Sequence, residues 1–398
     1  MAKRDLSRRD FLKLSAVAAA AGIVAPRILA AEGQDEAKKP ALEYRVLGRT
    51  GLKPTTVSIG CMISPEPVIA KAFDLGINWF DTANSYVYKG ENCERAVGRV
   101  LKGKRDRAYI CTKATPGTTQ QMLAKLDTSL QRLETDHVDL WLAHGISNAD
   151  QLKNENTVAA LQRGKEQGKT RFIGVSAHSN MDVVINGAVD GKIYDAVLAQ
   201  YNFQCHPSVK AAIARAKAAG VGIIAMKTQA AVAQMMNEYE KKKATDPNTP
   251  MPTVPGAVEG QSLYEAALKW VLADENVTCA VPGMQEFAHL EMYFPLMGKR
   301  LGYLDKRRLE RYADGFALAY CAGCNGCAGT CPRGVSIPDV RRCAMYLDAY
   351  RDEALARESY REIQANAAPC ADCSACSARC VRQVALHPIL KETHSRLA

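Results

Sequence analysis

Past its first thirty residues, the 398-residue chain has no apolar stretch approaching the roughly 20 residues that a helical membrane span needs. Like charges do not gather into a footprint either. Lys and Arg are interleaved with Asp and Glu, so the formal charge of +10 forms no basic patch of the kind nucleic acid requires, and no nucleic-acid partner is expected. Six basic side chains (Lys3, Arg4, Arg8, Arg9, Lys13, Arg27) and two acidic ones (Asp5, Asp10) lie in the first thirty-one residues, which leaves +6 for the remainder. A glycine-rich G-x-G-x-x-G turn after an early strand is also missing, and a doubly wound sheet would want one there. What is present, 47% hydrophobic and 24% charged residues, excludes disordered and collagen-like classes and allows one large domain plus a small one.

Cysteine is abundant: nine of the fourteen fall after residue 320, so the tail is chemically unlike what precedes it. The other five, Cys61, Cys93, Cys111, Cys205 and Cys279, are scattered among apolar neighbours and are expected in the core, where free cysteine behaves as a small hydrophobe.

The N-terminus reads as an address. Ser7-Arg8-Arg9-Asp10-Phe11-Leu12-Lys13 precedes an apolar stretch, Leu14 to Ala25, and then Ala30-Ala31: basic, apolar, small. The motif resembles a twin-arginine (Tat) signal, which implies export of an already folded protein by the Tat machinery to the periplasm. Ile28 or Leu29 occupies the position where cleavage prefers a small residue, so retention as a weak membrane tether stays open.

After a linker, residues 32–42, β-rich runs alternate with helical patterns in eight units: Val57–Gly60, Ile77–Asp81, Tyr109–Thr112, Val138–Ala143, Phe172–Val175, Val197–Tyr201, Gly222–Met226 and Thr278–Val281, each followed by a helix-compatible segment. Eight units in about 250 residues predict an α/β fold, a (β/α)8 TIM barrel over residues 43–298. Its chemistry belongs at the C-terminal ends of the strands, where Asp81, Lys113 and His144 fall, with Tyr86 in the loop after Asp81. A tyrosine with a reference pKa of ~10 is a poor acid at neutral pH unless a nearby cation favours its phenolate, and Lys113 is the candidate cation. Asp81 would hold Lys113 charged, His144 would hydrogen-bond a carbonyl, and Tyr86 would move the proton. The insertion Met235 to Gly260, Pro-rich and charged, is either a lid over that face or a solvated loop.

Leu47-Gly48-Arg49-Thr50-Gly51-Leu52, Gly76-Ile77-Asn78-Trp79-Phe80-Asp81-Thr82-Ala83 with Tyr86, Thr112-Lys113, and Val138-Asp139-Leu140 before His144 resemble the aldo-keto reductases. The resemblance covers residues 43 to about 298 and implies hydride transfer between a nicotinamide, NADP(H), and a carbonyl or alcohol, with Asp81, Tyr86, Lys113 and His144 as catalytic residues. It places Ser176 and Gln200 against the nicotinamide carboxamide, Met226 where many members stack an aromatic ring, and Gly283 in the last coenzyme loop. Ala177 replaces the usual asparagine beside the serine, and Glu291-Met292 replaces a typical Glu-Asn.

Beyond a connecting helical segment, residues 299–319, the runs Cys321-x2-Cys324-x2-Cys327-x3-Cys331-Pro332 and Cys370-x2-Cys373-x2-Cys376-x3-Cys380 resemble the two-cluster ferredoxin module and mark a small domain, residues 320–398. The resemblance implies two [4Fe-4S] clusters with exchanged fourth ligands: Cys321, Cys324, Cys327 and Cys380 on one, Cys370, Cys373, Cys376 and Cys331 on the other. Structural zinc is the alternative, but it commonly takes four ligands from two C-x2-C pairs. Val381 stands where a proline usually follows the second run, and Cys343, outside both, is expected to be a buried thiol. The combination predicts an exported iron–sulfur oxidoreductase acting on a small carbonyl or alcohol and passing electrons to a redox partner. Its rival is an electron-transfer protein whose barrel is only a docking surface.

Overall fold

The computed structural model describes residues 41–233, 243–246, 262–316, 321–348, 352–374 and 376–398, with backbone alone at 312–316. The chain divides into two units, Met1–Lys39 and Pro40–Ala398. The first, with the expected signal, lies outside the described residues, as does most of the insertion expected as a lid. Among the described residues no helix is long and apolar enough to cross a membrane.

Eight strands alternate with eight helices: β1 (Ile59–Gly60), α1 (Glu66–Asp74), β2 (Trp79–Asp81), α2 (Cys93–Leu101), β3 (Tyr109–Ala114), α3 (Thr119–Leu133), β4 (Val138–Ile146), α4 (Glu155–Glu166), β5 (Thr170–Ala177), α5 (Met181–Gly191), β6 (Ala196–Gln200), α6 (Pro207–Ala218), β7 (Gly222–Met226), α7 (Leu263–Leu272), β8 (Cys279–Ala280) and α8 (Phe287–Tyr293). The strands pair in parallel in chain order. Parallel bridges Val57–Ala280 and Gly60–Gly283 join the last strand to the first and close the barrel, so no edge is left unpaired. Local chemistry marks several helix starts: Thr118 and Gln121 form a capping box on α3, and Ser262 and Glu265 form one on α7.

Strand alternation sorts the side chains. One set (Phe80, Ile110, Trp141, Ile173, Val197, Ile223) faces the helices, and the other (Trp79, Cys111, Leu140, Leu142, Leu198, Ile224, Cys279) fills the barrel. The same parity carries Asp81, Lys113, Ser176, Gln200 and Met226 to the inner face at the C-terminal rim. Leu47 and Leu52 stopper the opposite end. Gly48 there has φ +49° and lies so close to the backbone that a Cβ would come 2.4 Å from the Gly220 carbonyl oxygen. Buried Asp139, held by Arg105 at 2.6 Å and Arg171 at 2.7 Å, also belongs to that stability end.

Beyond the barrel, the described residues hold helices α9 (Tyr303–Phe316), α10 (Ile337–Asp348), α11 (Glu353–Arg361) and α12 (Leu386–Leu397). α9 is tied to α7 by Lys269–Asp305 at 3.3 Å. The tail's core (Ile337, Val340, Cys343, Ala356, Tyr360, Leu386, Leu390, Leu397) is continuous with Ala230 and Ala231, which follow β7. Further ties join the tail to the barrel's C-terminal loops: Asn180 N–H donates to the Gly323 carbonyl at 3.1 Å, and Arg382 donates to Gln204. Of the five early cysteines, Cys61, Cys93, Cys111 and Cys279 are buried as expected, while Cys205, in the loop before α6, is half-buried.

Candidate functional site

Asp81 ends β2 and Lys113 stands one residue before the end of β3, side by side on the inner face. Both are buried, 4% and 1% exposed. The Lys113 Nζ donates to Asp81 Oδ2 at 2.7 Å and to the Thr82 carbonyl at 2.6 Å, and it lies 4.7 Å from the centre of the Tyr86 ring. His144 meets that ring edge-on, 5.7 Å between centroids. The expected strand end at Ala143 is passed: β4 runs on to Ile146, with a register irregularity between Ala143 and Ile146, and His144 sits in it. Such irregularities re-aim a side chain at a strand end. All four expected residues are therefore brought together.

Electrostatics modifies one expectation. Burial pushes the Tyr86 phenol above its ordinary value, and Lys113, although it pulls the other way, does not overcome that. Tyr86 therefore stays a protonated donor. Burial alone would lower Lys113, but Asp81 and the phenol together hold it above its ordinary value, an ammonium. Burial lowers His144 to about 3, helped by Lys113, Arg342 and Lys227, so its imidazole is neutral. Its Nδ1 is buried with no hydrogen-bond partner, ready for a ligand atom.

Residues 65–301, well over half of the chain, match the aldo/keto reductase family. The chain belongs to that family. L-galactose dehydrogenase of Arabidopsis thaliana is 27% identical over 63% of this aldo/keto reductase and 86% of its own length. L-glyceraldehyde 3-phosphate reductase of Escherichia coli is 31% identical over 35% of this chain, which spans about half (46%) of that relative. Among solved structures, an aldo-keto reductase of Bacillus halodurans aligns with TM-score 0.55 at 19% identity, covering 68% of this chain and 96% of that one. An aldo/keto reductase of Klebsiella pneumoniae, determined with NADP and acetate, gives 0.54 at 18% over 68% and 95%. These two likenesses speak for the fold. Residues 5–25 match a twin-arginine translocation signal, which suggests export.

On the coenzyme side of this aldo/keto reductase, Ser176 is buried at the rim and its Oγ accepts from Gly145 N–H at 3.0 Å. Gln200 ends β6 and Met226 ends β7, both buried. Gly283 has a packing reason of its own: a Cβ there would come 2.6 Å from Ile63 Cγ1, beside the bridge that closes the barrel.

Sequence reasoning did not find what covers this face. A cavity has barrel residues His178, Ser179 and Gln200 on one side and Cys321, Gly323, Pro338, Arg341, Arg342, Ala344, Met345 and Asp348 on the other. Helix α10 thus roofs the mouth over β5 to β7. Lys227, directly after Met226, sits at φ +55° with its Nζ 4.9 Å from the centre of the Tyr346 ring. A non-glycine residue in that left-handed region is uncommon. The His178 ring lies 5.8 Å from that of His144. The only advance signal was the pair Arg341-Arg342 between the two cysteine runs.

Among the described residues no two cysteines form a disulfide. Among the described residues, no three His, Cys, Asp or Glu side chains form a ready-made metal-ion site. The tail's thiols nevertheless fall into two neighbourhoods. Cys324 and Cys327 are raised by burial and then by the proximity of Cys321 and Cys380. Cys370 is raised by burial and then by Cys331, Cys376 and Cys373. These last four line a second cavity with Pro332, Pro369 and His387. Cys343, as expected, is buried within α10, and burial lifts its thiol to about 11.

Proposed function

We infer that this aldo/keto reductase is an exported oxidoreductase that interconverts a small carbonyl and an alcohol at Asp81, Tyr86, Lys113 and His144, and relays the electrons through two [4Fe-4S] clusters to a redox partner. Tyr86, protonated beside the Lys113 ammonium, delivers or recovers the proton on substrate oxygen, and neutral His144 hydrogen-bonds that oxygen. Asp81 keeps Lys113 in place. The observation that carries the reading is one cavity shared by Gln200 and His178 of the barrel mouth and Cys321 of the first cysteine run.

For the clusters the support is the grouping of the thiols. The two neighbourhoods are compatible with exchanged fourth ligands, and the second borders a cavity. When bound, the clusters would supply one-electron steps; two of them would take up the two electrons that an alcohol gives up on oxidation, with its oxygen-bound and carbon-bound hydrogens both leaving as protons. Folding around iron before Tat export from a reducing compartment accounts for an address of this kind on such a tail, and the periplasm is the proposed destination, with a membrane tether if the signal is retained.

NADP(H) fits less well. Ser176 and Gln200 offer hydrogen-bonding groups to a carboxamide, and the Klebsiella relative was determined with NADP. In this chain, however, Gln200 faces a cavity roofed by α10, and the Tyr346 ring lies against Lys227, the residue after Met226. The same roof is what favours the second reading, a barrel that only scaffolds an electron-transfer tail.

Anaerobic purification followed by spectroscopic observation of the clusters during mixing with candidate alcohols separates the two readings. Substrate-dependent cluster reduction that is lost in Tyr86→Phe is the expected result; reduction unaffected by Tyr86→Phe leaves the scaffold reading.

A further inference from the structure

His178, one residue past the end of β5, is a polar group at the barrel mouth with no task in the proton transfer. It is 9% exposed and lines the cavity under α10 beside Ser179 and Gln200. Its ring lies 5.8 Å from that of His144, centroid to centroid, and Nδ1 of each imidazole is buried with no hydrogen-bond partner among the described residues. Buried polar groups are nearly always paired, so two unpaired nitrogens side by side call for a common explanation, and a ligand that partners both supplies one.

The spacing of the two rings is held by the backbone around them. Ser176 Oγ accepts from Gly145 N–H at 3.0 Å, and Asn180 Nδ2 donates to the Ser147 carbonyl at 2.6 Å, so the ends of β4 and β5 are tied on either side of the histidines. Asn180, at φ +51°, also gives its backbone N–H to the Gly323 carbonyl at 3.1 Å. Gly323 packs closely on this turn: a Cβ there would come 2.7 Å from Met181 Cε and 3.5 Å from the His178 carbonyl oxygen. The tail thus clamps the turn that carries His178. Burial foremost lowers both imidazoles, His144 to about 3, so both are neutral, and a neutral imidazole offers one donor and one acceptor nitrogen. Around the rim, Tyr86 comes from the loop after β2, His144 from the end of β4 and His178 from just past β5. The reacting oxygen belongs between Tyr86 and His144, and the next position along the rim falls to His178.

We propose that His178 is a second substrate-contacting residue, which hydrogen-bonds the oxygen on the carbon next to the reacting one. An oxygen bonded to an imidazole nitrogen lies about 4 Å from the ring centre. Rings 5.8 Å apart can therefore each hold one of two oxygens on adjacent carbons. The substrate class is a 2-hydroxy carbonyl compound or, in the opposite direction, a vicinal diol. A site built to bond a substrate hydroxyl rejects the analogue without it, because its own buried nitrogen is then left unpaired. The inference rests on the oxidoreductase reading for which carbon reacts, but the second contact is measurable by binding without turnover.

The test is ligand-observed NMR titration of the intact, anaerobically prepared chain with two matched pairs: hydroxyacetone against acetone, and propane-1,2-diol against propan-2-ol. The hydroxylated member of at least one pair is expected to bind about tenfold more tightly, the worth of one good hydrogen bond. His178→Leu should bring the two members within about twofold of each other. His178→Asn, whose amide stands near the place of Nδ1, should retain part of the preference, which separates a lost hydrogen bond from lost packing. A preference of this kind without substrate-dependent cluster reduction would leave the contact standing and count against the oxidoreductase reading alone. Equal binding within both pairs by the parent chain overturns the proposal. So does an undiminished preference in His178→Leu, and so does His178→Asn performing no better than His178→Leu, since packing rather than hydrogen bonding would then set the preference.

Discussion

The Lys113 ammonium sits between the Asp81 carboxylate, 2.7 Å away, and the face of the Tyr86 ring, 4.7 Å from its centre. This buried pair does two jobs. It anchors two neighbouring strand ends, and it sets the field in which Tyr86 and His144 meet a substrate oxygen.

Removing the phenol tests the proton-transfer role. Tyr86→Phe should lower turnover by about 10²–10⁴-fold, the usual contribution of a positioned acid or base, with little change in substrate affinity. Steady-state rates with the natural electron acceptor, or cluster reduction in a single turnover, measure it; an undiminished rate contradicts the assignment.

The pair itself has a stability signature. Lys113→Met leaves the Asp81 charge buried without its cation, a change that costs about 3–5 kcal/mol when one partner of a buried pair is removed. The double variant Asp81→Asn with Lys113→Met should recover much of that loss. Urea unfolding of the three proteins reads it out, and equal losses in the single and double variants would contradict the pairing.

His144 gives a pH dependence of known sign. In the folded chain burial lowers it to about 3, whereas the unfolded value is near 6.5, so below 6.5 the unfolded chain takes up a proton that the folded one refuses. Stability present above pH 6.5 is lost as the pH falls from 6.5 toward 3. His178 is shifted in the same direction, also mainly by burial. Unfolding midpoints between pH 7.5 and 5 should fall less steeply in His144→Gln than in the parent, and identical slopes would count against it.

Much of this was legible in the sequence, for identifiable reasons. Eight strands emerge from β-rich runs because each is bounded by a helical pattern, and strand parity alone puts Asp81, Lys113, Ser176, Gln200 and Met226 on one inner face. Strand limits were less legible. Only Cys279–Ala280 of the expected Thr278–Val281 is strand, and β4 continues beyond Ala143 through an irregularity that no local propensity records. The balance at Tyr86 was hidden too, since burial, which a sequence does not display, outweighs the cation that it does. The docking of α10 across the mouth depends on tertiary packing; Arg341, Arg342 and Tyr346 read alone as an ordinary amphipathic helix.

The roof predicts coenzyme behaviour. NADPH should bind the intact chain weakly, and Tyr346→Ala should strengthen binding about tenfold, or about 1.4 kcal/mol, by opening the ground beside Lys227. A fluorescence titration of NADPH is sufficient. Tight binding to the parent chain, unchanged in the variant, would show that α10 is no obstacle.

Ligand exchange between the cysteine runs is separable by single substitutions. Cys380→Ser should perturb the cluster held by Cys321, Cys324 and Cys327, while Cys331→Ser should perturb the one held by Cys370, Cys373 and Cys376. Electron paramagnetic resonance of each reduced variant, compared with variants in the first three cysteines of each run, shows which signal moves. Each fourth-position variant matching its own run would contradict the exchange.

Anaerobic quantification of iron, acid-labile sulfide and zinc in the intact chain bears most directly on the whole account. Two cubane clusters predict roughly eight iron and eight sulfide per chain. A stoichiometric zinc content with no iron would contradict it.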